Sequence, residues 1–322
     1  MDVFREKNEM RDWSRAMKRA GKRVALVPTM GFLHAGHLSL VQCARQLADV
    51  VVVSVYVNPS QFAPTEDFSQ YPRDLQGDLN KLQPFHVDAV FNPHDLYVRD
   101  ASQSGTGMLE STTGSSQQAS METIDDIREL HSKRQNGGSE HETWVIVEKL
   151  ELPLCGQSRP GFFKGVATVV TKLFHIVEPD VALFGKKDYQ QWRIICRMVR
   201  DLDFAIEIVG CELQRDQDGL AMSSRNVYLS SAERLQALSI SRSLMQVKEA
   251  IMNGIVDAAS LVSLVKQEIT SASGRVDYIE ISEQESLRPL QFIDCPAVLC
   301  VAAWFGRVRL IDNIELGPSQ PQ

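Results

Sequence analysis

His34 and His37 stand three residues apart around Gly36, between an apolar run from Val24 to Val27 and a helix-like run from Leu38 to Leu47. Two imidazoles therefore sit where a strand turns into a helix. The first turn of a helix has unpaired amide donors and a partial positive charge, so it attracts phosphate, and a glycine there lets a ligand approach the backbone. Imidazoles at such a point can donate to the oxygens of a departing pyrophosphate. The same tetrapeptide also suits a metal pair or a plain cap, and the other polar motifs have to decide. They are Asn58-Pro59-Ser60-Gln61-Phe62, Gly185-Lys186-Lys187-Asp188 and the donor-rich stretch from Asp218 to Asn226. Taken singly, these read as a turn, a solvated lysine pair and a helix-cap region. Their joint placement argues for a site.

The elements that must position these residues alternate. Asn8 to Ala20 reads as an amphipathic helix stopped by Gly21, and Arg23 to Pro28 as a buried strand. Asp49 to Val57, nearly continuous in β-branched residues, has the pattern of a parallel strand covered on both faces. The alternation continues as a helix at Leu75 to Leu82 and a strand at Asp88 to Phe91. After these come a helix at Val166 to Val177, a strand at Val181 to Phe184, a helix at Tyr189 to Asp201 and a strand at Ala205 to Cys211. The fold class expected is α/β, a doubly wound, Rossmann-like parallel sheet. Such sheets bind ligands beyond the carboxyl ends of their strands, which is where three of the polar motifs fall.

From Asp100 to Thr143 the chain turns to Ser, Thr, Gly and Gln, the composition of an inserted loop, with a short helix possible at Ile124 to Gln135. Beyond Glu212, a capping-box pair Ser230 and Glu233 opens a helix to Met252, and Asp257 starts another to about Thr270. Strands follow at Val276 to Ile281, Ala297 to Phe305 and Arg307 to Asp312, the last two joined at Gly306. The expected division is therefore 1–212, carrying the insertion, and a smaller α+β domain over 213–322 that brings the Asp218 to Asn226 loop against the first.

Composition narrows the function classes. The 322 residues carry a net charge of −7 with no long basic run, which disfavours a nucleic-acid surface. No apolar stretch approaches the ~20 residues that span a bilayer, and the N-terminal segment lacks the hydrophobic block of a signal peptide, so a cytosolic protein is expected. The six cysteines are scattered and suggest free thiols, not a structural metal site. Neither G-x-x-x-x-G-K-[ST] nor G-x-G-x-x-G occurs, so a nucleotide would have to be held by another device.

Four segments together resemble one family. Pro28-Thr29-Met30-Gly31-Phe32-Leu33-His34-Ala35-Gly36-His37, Val57-Asn58-Pro59-Ser60-Gln61-Phe62, Phe184-Gly185-Lys186-Lys187-Asp188-Tyr189-Gln190-Gln191 and Asp218 to Asn226 are similar, in this order, to pantothenate synthetase, and the insertion to its plant-type members. The resemblance implies an ATP-dependent ligase. Pantoate and ATP would give pantoyl adenylate and pyrophosphate, and the β-alanine amine would then displace AMP, with magnesium accompanying ATP and a homodimer as the assembly. It implies His37 as proton donor with His34 beside it. It also implies ATP contacts from Met30 to His37, Gly185 to Asp188, Gln214 and Met222-Ser223-Ser224-Arg225. Pantoate would contact Gln61, shared with β-alanine, together with Gln191, Asn58 and Arg159, and Asp78 and Asp188 would lie near magnesium. Elementary chemistry agrees: His34, His37, Lys187, Ser223, Ser224 and Arg225 are donors for charge developing on a leaving pyrophosphate. Amides can bond both hydroxyl and carboxylate of a small acid without adding charge.

Two positions depart from the family pattern: Phe162 stands where many members have His, and Gln214 where bacterial members tend to be apolar. An alternative is another nucleotidyltransferase with the same histidine turn and a phosphorylated acceptor, which would call for more basic residues than Gln61 and Gln191 offer. A non-catalytic ATP-binding protein with the insertion as docking segment is a second.

Overall fold

The computed structural model describes residues 1–64, 66–97 and 141–317. Two compact units emerge: residues 1–94 with 144–317 of the described chain, and a small one over Asp95–Thr143. The helix expected at 124–135 lies outside the described residues.

The larger unit is built on a six-stranded, all-parallel sheet. Its strands are β1 (Asp2–Phe4), β2 (Val24–Thr29), β3 (Val50–Val55), β4 (Ala89–Phe91), β5 (Val181–Gly185) and β6 (Glu207–Cys211), in spatial order β1-β4-β3-β2-β5-β6. Every residue of β3 is buried, as its run of valines requires of a strand covered on both faces. On one face lies α2 (Ala35–Leu47), whose Leu40, Val41 and Ala44 pack over Ala25, Val27, Val51, Val53 and Leu183. α1 (Lys7–Arg19) and α3 (Leu75–Leu82) precede β2 and β4, the short α4 (Cys155–Ser158) leads into α5 (Phe162–Val177), and α6 (Tyr189–Asp201) links β5 to β6. β1 was not legible in the sequence, because three residues at a sheet edge carry no periodicity.

The chain order reverses between β2 and β5, and there the two strands part. β2 pairs with β3 along its whole length, from Val24 opposite Val50 to Thr29 opposite Val55, yet meets β5 only at Ala25 and Leu26. Pro28, with no amide hydrogen to give, falls in the stretch that has left β5. A crevice opens at the carboxyl ends of β2 and β5, the switch point where such sheets take their ligands.

The remaining elements form a small α+β layer. Ser230 and Glu233 complete the capping box that opens α7 (Ser231–Met252), and Asp257 accepts from the Ser260 amide at 2.8 Å to open α8 (Ala258–Ser271). Both helices pack on an antiparallel sheet, β7 (Arg275–Glu283), β8 (Ala297–Phe305) and β9 (Val308–Leu316), in that order. β8 is the central strand and is buried almost throughout. Among the described residues no helix is long and apolar enough to cross a membrane.

Candidate active site

A cavity of about 230 Å³ occupies the crevice. Its floor is the end of β2 and the turn into α2. That helix begins at Ala35, a turn earlier than its apolar pattern indicates, which makes His34 the N-cap and puts His37 in the first turn. The His34 amide donates to Nδ1 of His37 at 3.3 Å, so in the neutral His37 ring the proton resides on Nε2. The two rings lie 4.1 Å apart, and a Cβ on Gly36 would stand 3.0 Å from the His34 ring. Glycine there is a matter of space.

Both imidazoles are neutral at physiological pH. Burial, then the nearby Lys187 ammonium, lowers His34 to about 4; burial, then His34 and Lys187, lowers His37 to about 3. A neutral ring keeps one N–H to donate, the form suited to meeting an anion without first carrying a charge of its own.

The turn ahead of the histidines is held from below. Gly31 and Phe32 both have positive φ, and the Phe32 and Leu33 amides donate to the two Asp78 oxygens at 2.8 and 2.6 Å. A Cβ on Gly31 would come within 3.0 Å of Val55 and Asp78. Lys81 of α3 donates to the Leu33 carbonyl at 2.8 Å. Asp78 is buried, lies outside the cavity lining and has both oxygens engaged, so its geometry fits a brace for the loop better than a metal ligand. Gly31, Phe32, Leu33 and Ala35 likewise stay out of the lining, and Leu33 belongs to the core under α2.

One wall is the turn after β3. Asn58 caps the short helical turn Pro59–Gln61, and its Nδ2 donates to Gln61 Oε1 at 3.0 Å and to the Gly165 carbonyl at 3.1 Å. Gln61 Nε2 reaches Met30 Sδ at 3.0 Å. Arg159 donates to the Gln61 carbonyl at 3.2 Å and to Glu66 through two bonds of 2.7 Å. Phe162 lies under that guanidinium, with its ring centroid 3.7 Å from the central guanidinium carbon.

The opposite wall is the turn after β5. Lys187, Asp188 and Gln191 line the cavity; Lys186 does not, because it bridges Glu212 at 2.7 Å and Glu315 at 2.9 Å. The two adjacent glutamines part company. Gln190 turns away and bonds the Leu150 and Pro153 carbonyls and the Cys155 amide, while Gln191 faces the cavity. Asn313 on β9 donates to the Lys186 and Lys187 carbonyls, each at 2.9 Å, and fixes the turn.

The roof is the loop Met222-Ser223-Ser224-Arg225. The Met222 amide donates to the Gln214 carbonyl at 3.0 Å, a backbone contact indifferent to the polar side chain at that position. Arg225 is paired with Asp67 through bonds of 3.2 and 3.0 Å, and Ser224 Oγ lies 3.2 Å from the Tyr71 hydroxyl. The sequence did not mark Glu66, Asp67 and Tyr71, which stand in a segment with no periodicity or motif, nor Asn313, which lies one residue past the strand read at Arg307 to Asp312.

Although the whole chain is acidic, the lining gathers Lys187, Arg159 and Arg225 with two neutral imidazoles, against Asp188 and Glu212. That charge balance suits a small anion, beside an apolar wall from α5, which supplies Val166, Val170 and Leu173.

A family model described as pantoate-beta-alanine ligase matches residues 2–315. The chain belongs to the pantoate–β-alanine ligase family. It is similar to a pantoate–β-alanine ligase of Lotus japonicus, 57% identical over 316 residues that cover 98% of each chain. Among solved structures it is similar to pantothenate synthetase from Thermus thermophilus, with TM-score 0.80 and 38% identity over 99% of this chain and 100% of that one. It is also similar to the pantoate–β-alanine ligase from Francisella tularensis complexed with β-γ ATP and β-alanine, with TM-score 0.72, 30% identity and the same coverage. As a pantoate–β-alanine ligase, this chain is an enzyme of pantothenate formation.

Proposed function

We propose that this ligase works by way of an acyl adenylate formed in the cavity between β2 and β5. A pantoate carboxylate oxygen attacks the α-phosphorus of ATP, and the bond from that phosphorus to the bridging oxygen breaks as pyrophosphate leaves. The β-alanine amine then attacks the pantoyl carbonyl carbon, the bond from that carbon to the AMP oxygen breaks, and the amine gives up a proton. The products are pantothenate, AMP and pyrophosphate. The observation that carries this reading is the pairing, in one lining, of the histidine turn and its cations with the uncharged Gln61 and Gln191. The ATP-containing complex of the Francisella tularensis relative supports the nucleotide.

The donor set fits its parts. His37 Nε2–H and His34 meet the developing charge on the bridging oxygen and the departing pyrophosphate, with Lys187, Ser223, Ser224 and Arg225 completing the cradle. Gln61, held by Asn58 and Met30, and Gln191 orient pantoate, and Arg159 stands beside them. Met30, Gly185 and Gln214 border the nucleotide side. Asp188, whose side chain is 50% exposed, fits magnesium as one protein carboxylate among phosphate oxygens. When bound there, magnesium neutralises phosphate charge. A cytosolic homodimer is the expected setting, and sedimentation velocity at working concentration tests the dimer.

Pyrophosphate exchange into ATP tests the mechanism. Label should enter ATP only when pantoate is present and without need of β-alanine. Exchange indifferent to pantoate would reject the acyl adenylate and favour a nucleotidyltransferase with another acceptor.

A further inference from the structure

The two cavity arginines share one support. Arg159 arises just after α4 and Arg225 in the roof loop, 66 residues later in sequence, yet their counter-ions are the neighbouring residues Glu66 and Asp67. In each pair the carboxylate takes the Nε and Nη2 edge of the guanidinium: Glu66 at 2.7 and 2.7 Å, Asp67 at 3.2 and 3.0 Å. That leaves the Nη1 edge for a ligand, and both arginines line the cavity while neither carboxylate does. A fork held along one edge has its plane fixed, which a single contact could not achieve.

The segment around this dipeptide is itself anchored. Phe62 packs edge-on against Phe68 and Tyr71, and Arg73 donates to the carbonyls of Phe68 and Tyr71 at 3.0 and 3.1 Å. The Tyr71 hydroxyl meets Ser224, and the Tyr228 hydroxyl donates to the Gln70 carbonyl at 3.0 Å. One segment thus ties the pantoate-side arginine to the roof. Arg159 also bonds the Gln61 carbonyl, so Glu66 acts on that wall through it.

We propose that Glu66 and Asp67 are positioning residues of the ligase, each orienting one guanidinium: Glu66 sets Arg159 for the pantoate side and Asp67 sets Arg225 for the phosphate side. Although burial opposes ionisation of both, the hydrogen bonds from Arg159 and Arg225 hold their carboxyls below the usual range, so each is a standing anion. Neither carboxylate lines the cavity, so neither takes the place of a ligand group there.

The inference rests on the acyl-adenylate reading, and pantoate-dependent exchange by the unsubstituted enzyme is the control on that reading alone. With the control intact, Glu66→Gln should raise the pantoate KM about tenfold and leave the ATP KM within about twofold, whereas Asp67→Asn should lower the maximal exchange rate about tenfold and leave the pantoate KM within about twofold, magnitudes in keeping with a slightly misplaced group. Asp67→Glu and Glu66→Asp, which keep the charge, should restore part of each loss. In an Arg225→Lys background Asp67→Asn should add little, since the interaction is already broken. Equal effects of the two substitutions on both substrates, or full additivity with Arg225→Lys, would overturn the proposal. A lower ATP KM in Asp67→Asn with an undiminished rate would do the same, since it would make Asp67 a competitor for Arg225.

Discussion

His37 joins backbone geometry to electrostatics. Its Nδ1 is taken by the His34 amide, burial keeps the ring neutral, and Nε2–H is left as a donor. His37→Ala should therefore lower pantoate-dependent exchange by about 10² to 10³, the loss typical of removing one oxyanion donor, with the melting temperature little changed. An unaltered exchange rate would remove His37 from the chemistry. The lowered values also predict a pH signature. In the unfolded chain these rings titrate near about 6.5, but when folded they do so at about 4 and about 3. The unfolded state then binds more protons in acid, so the stability due to neutral rings is complete above about 6.5 and declines as pH falls through the folded values. Urea unfolding at pH 7 and pH 4.5 should show a smaller acid loss in His37→Asn than in the unsubstituted chain. For the same reason, the maximal exchange rate at saturating substrates should show no histidine inflection near about pH 6.5, and one appearing there would contradict neutral donors.

At the scale of elements, the site depends on close approach between α5 and the turn that carries Gln61. A Cβ on Gly165 would fall inside contact distance of the Ser60 carbonyl, so the helix and the Pro59–Gln61 turn touch backbone to backbone. Asn58 spans that contact through the Gly165 carbonyl. Gly165→Ala should cost about 1–3 kcal/mol, as overpacking of a close contact does, and raise the pantoate KM by displacing Gln61. Denaturant unfolding with kinetics checks both, and a normal pantoate KM would show that the turn does not depend on this contact. The early start of α2 matters in the same way: because His34 is the cap, the paired histidines share one turn and the N-terminus of the helix borders the crevice.

At the scale of the molecule, every residue lining the cavity belongs to the larger compact unit. Replacing residues 98–140 by a short flexible linker should therefore leave pantoate-dependent exchange and the melting transition in place. Lost exchange with an intact transition would assign the insertion a part in the site. What the sequence determined by itself was the order of the strands and helices from α1 onward except the short α4, the two capping residues of α7 and α8, and the motifs at the carboxyl ends of β2, β3 and β5. Burial periodicity and helix caps are local and can be read within about a dozen residues. Only the tertiary structure decided that Asp78 braces the loop, that Gln191 and not Gln190 faces the cavity, and that Lys186 is spent on Glu212 and Glu315. It alone brought Asp67 to Arg225 across 158 residues and Asn313 to Lys187 across 126. Such pairings depend on where distant segments converge, and at the opening between β2 and β5 that convergence gathers an acidic chain's scattered cations into one cavity lining.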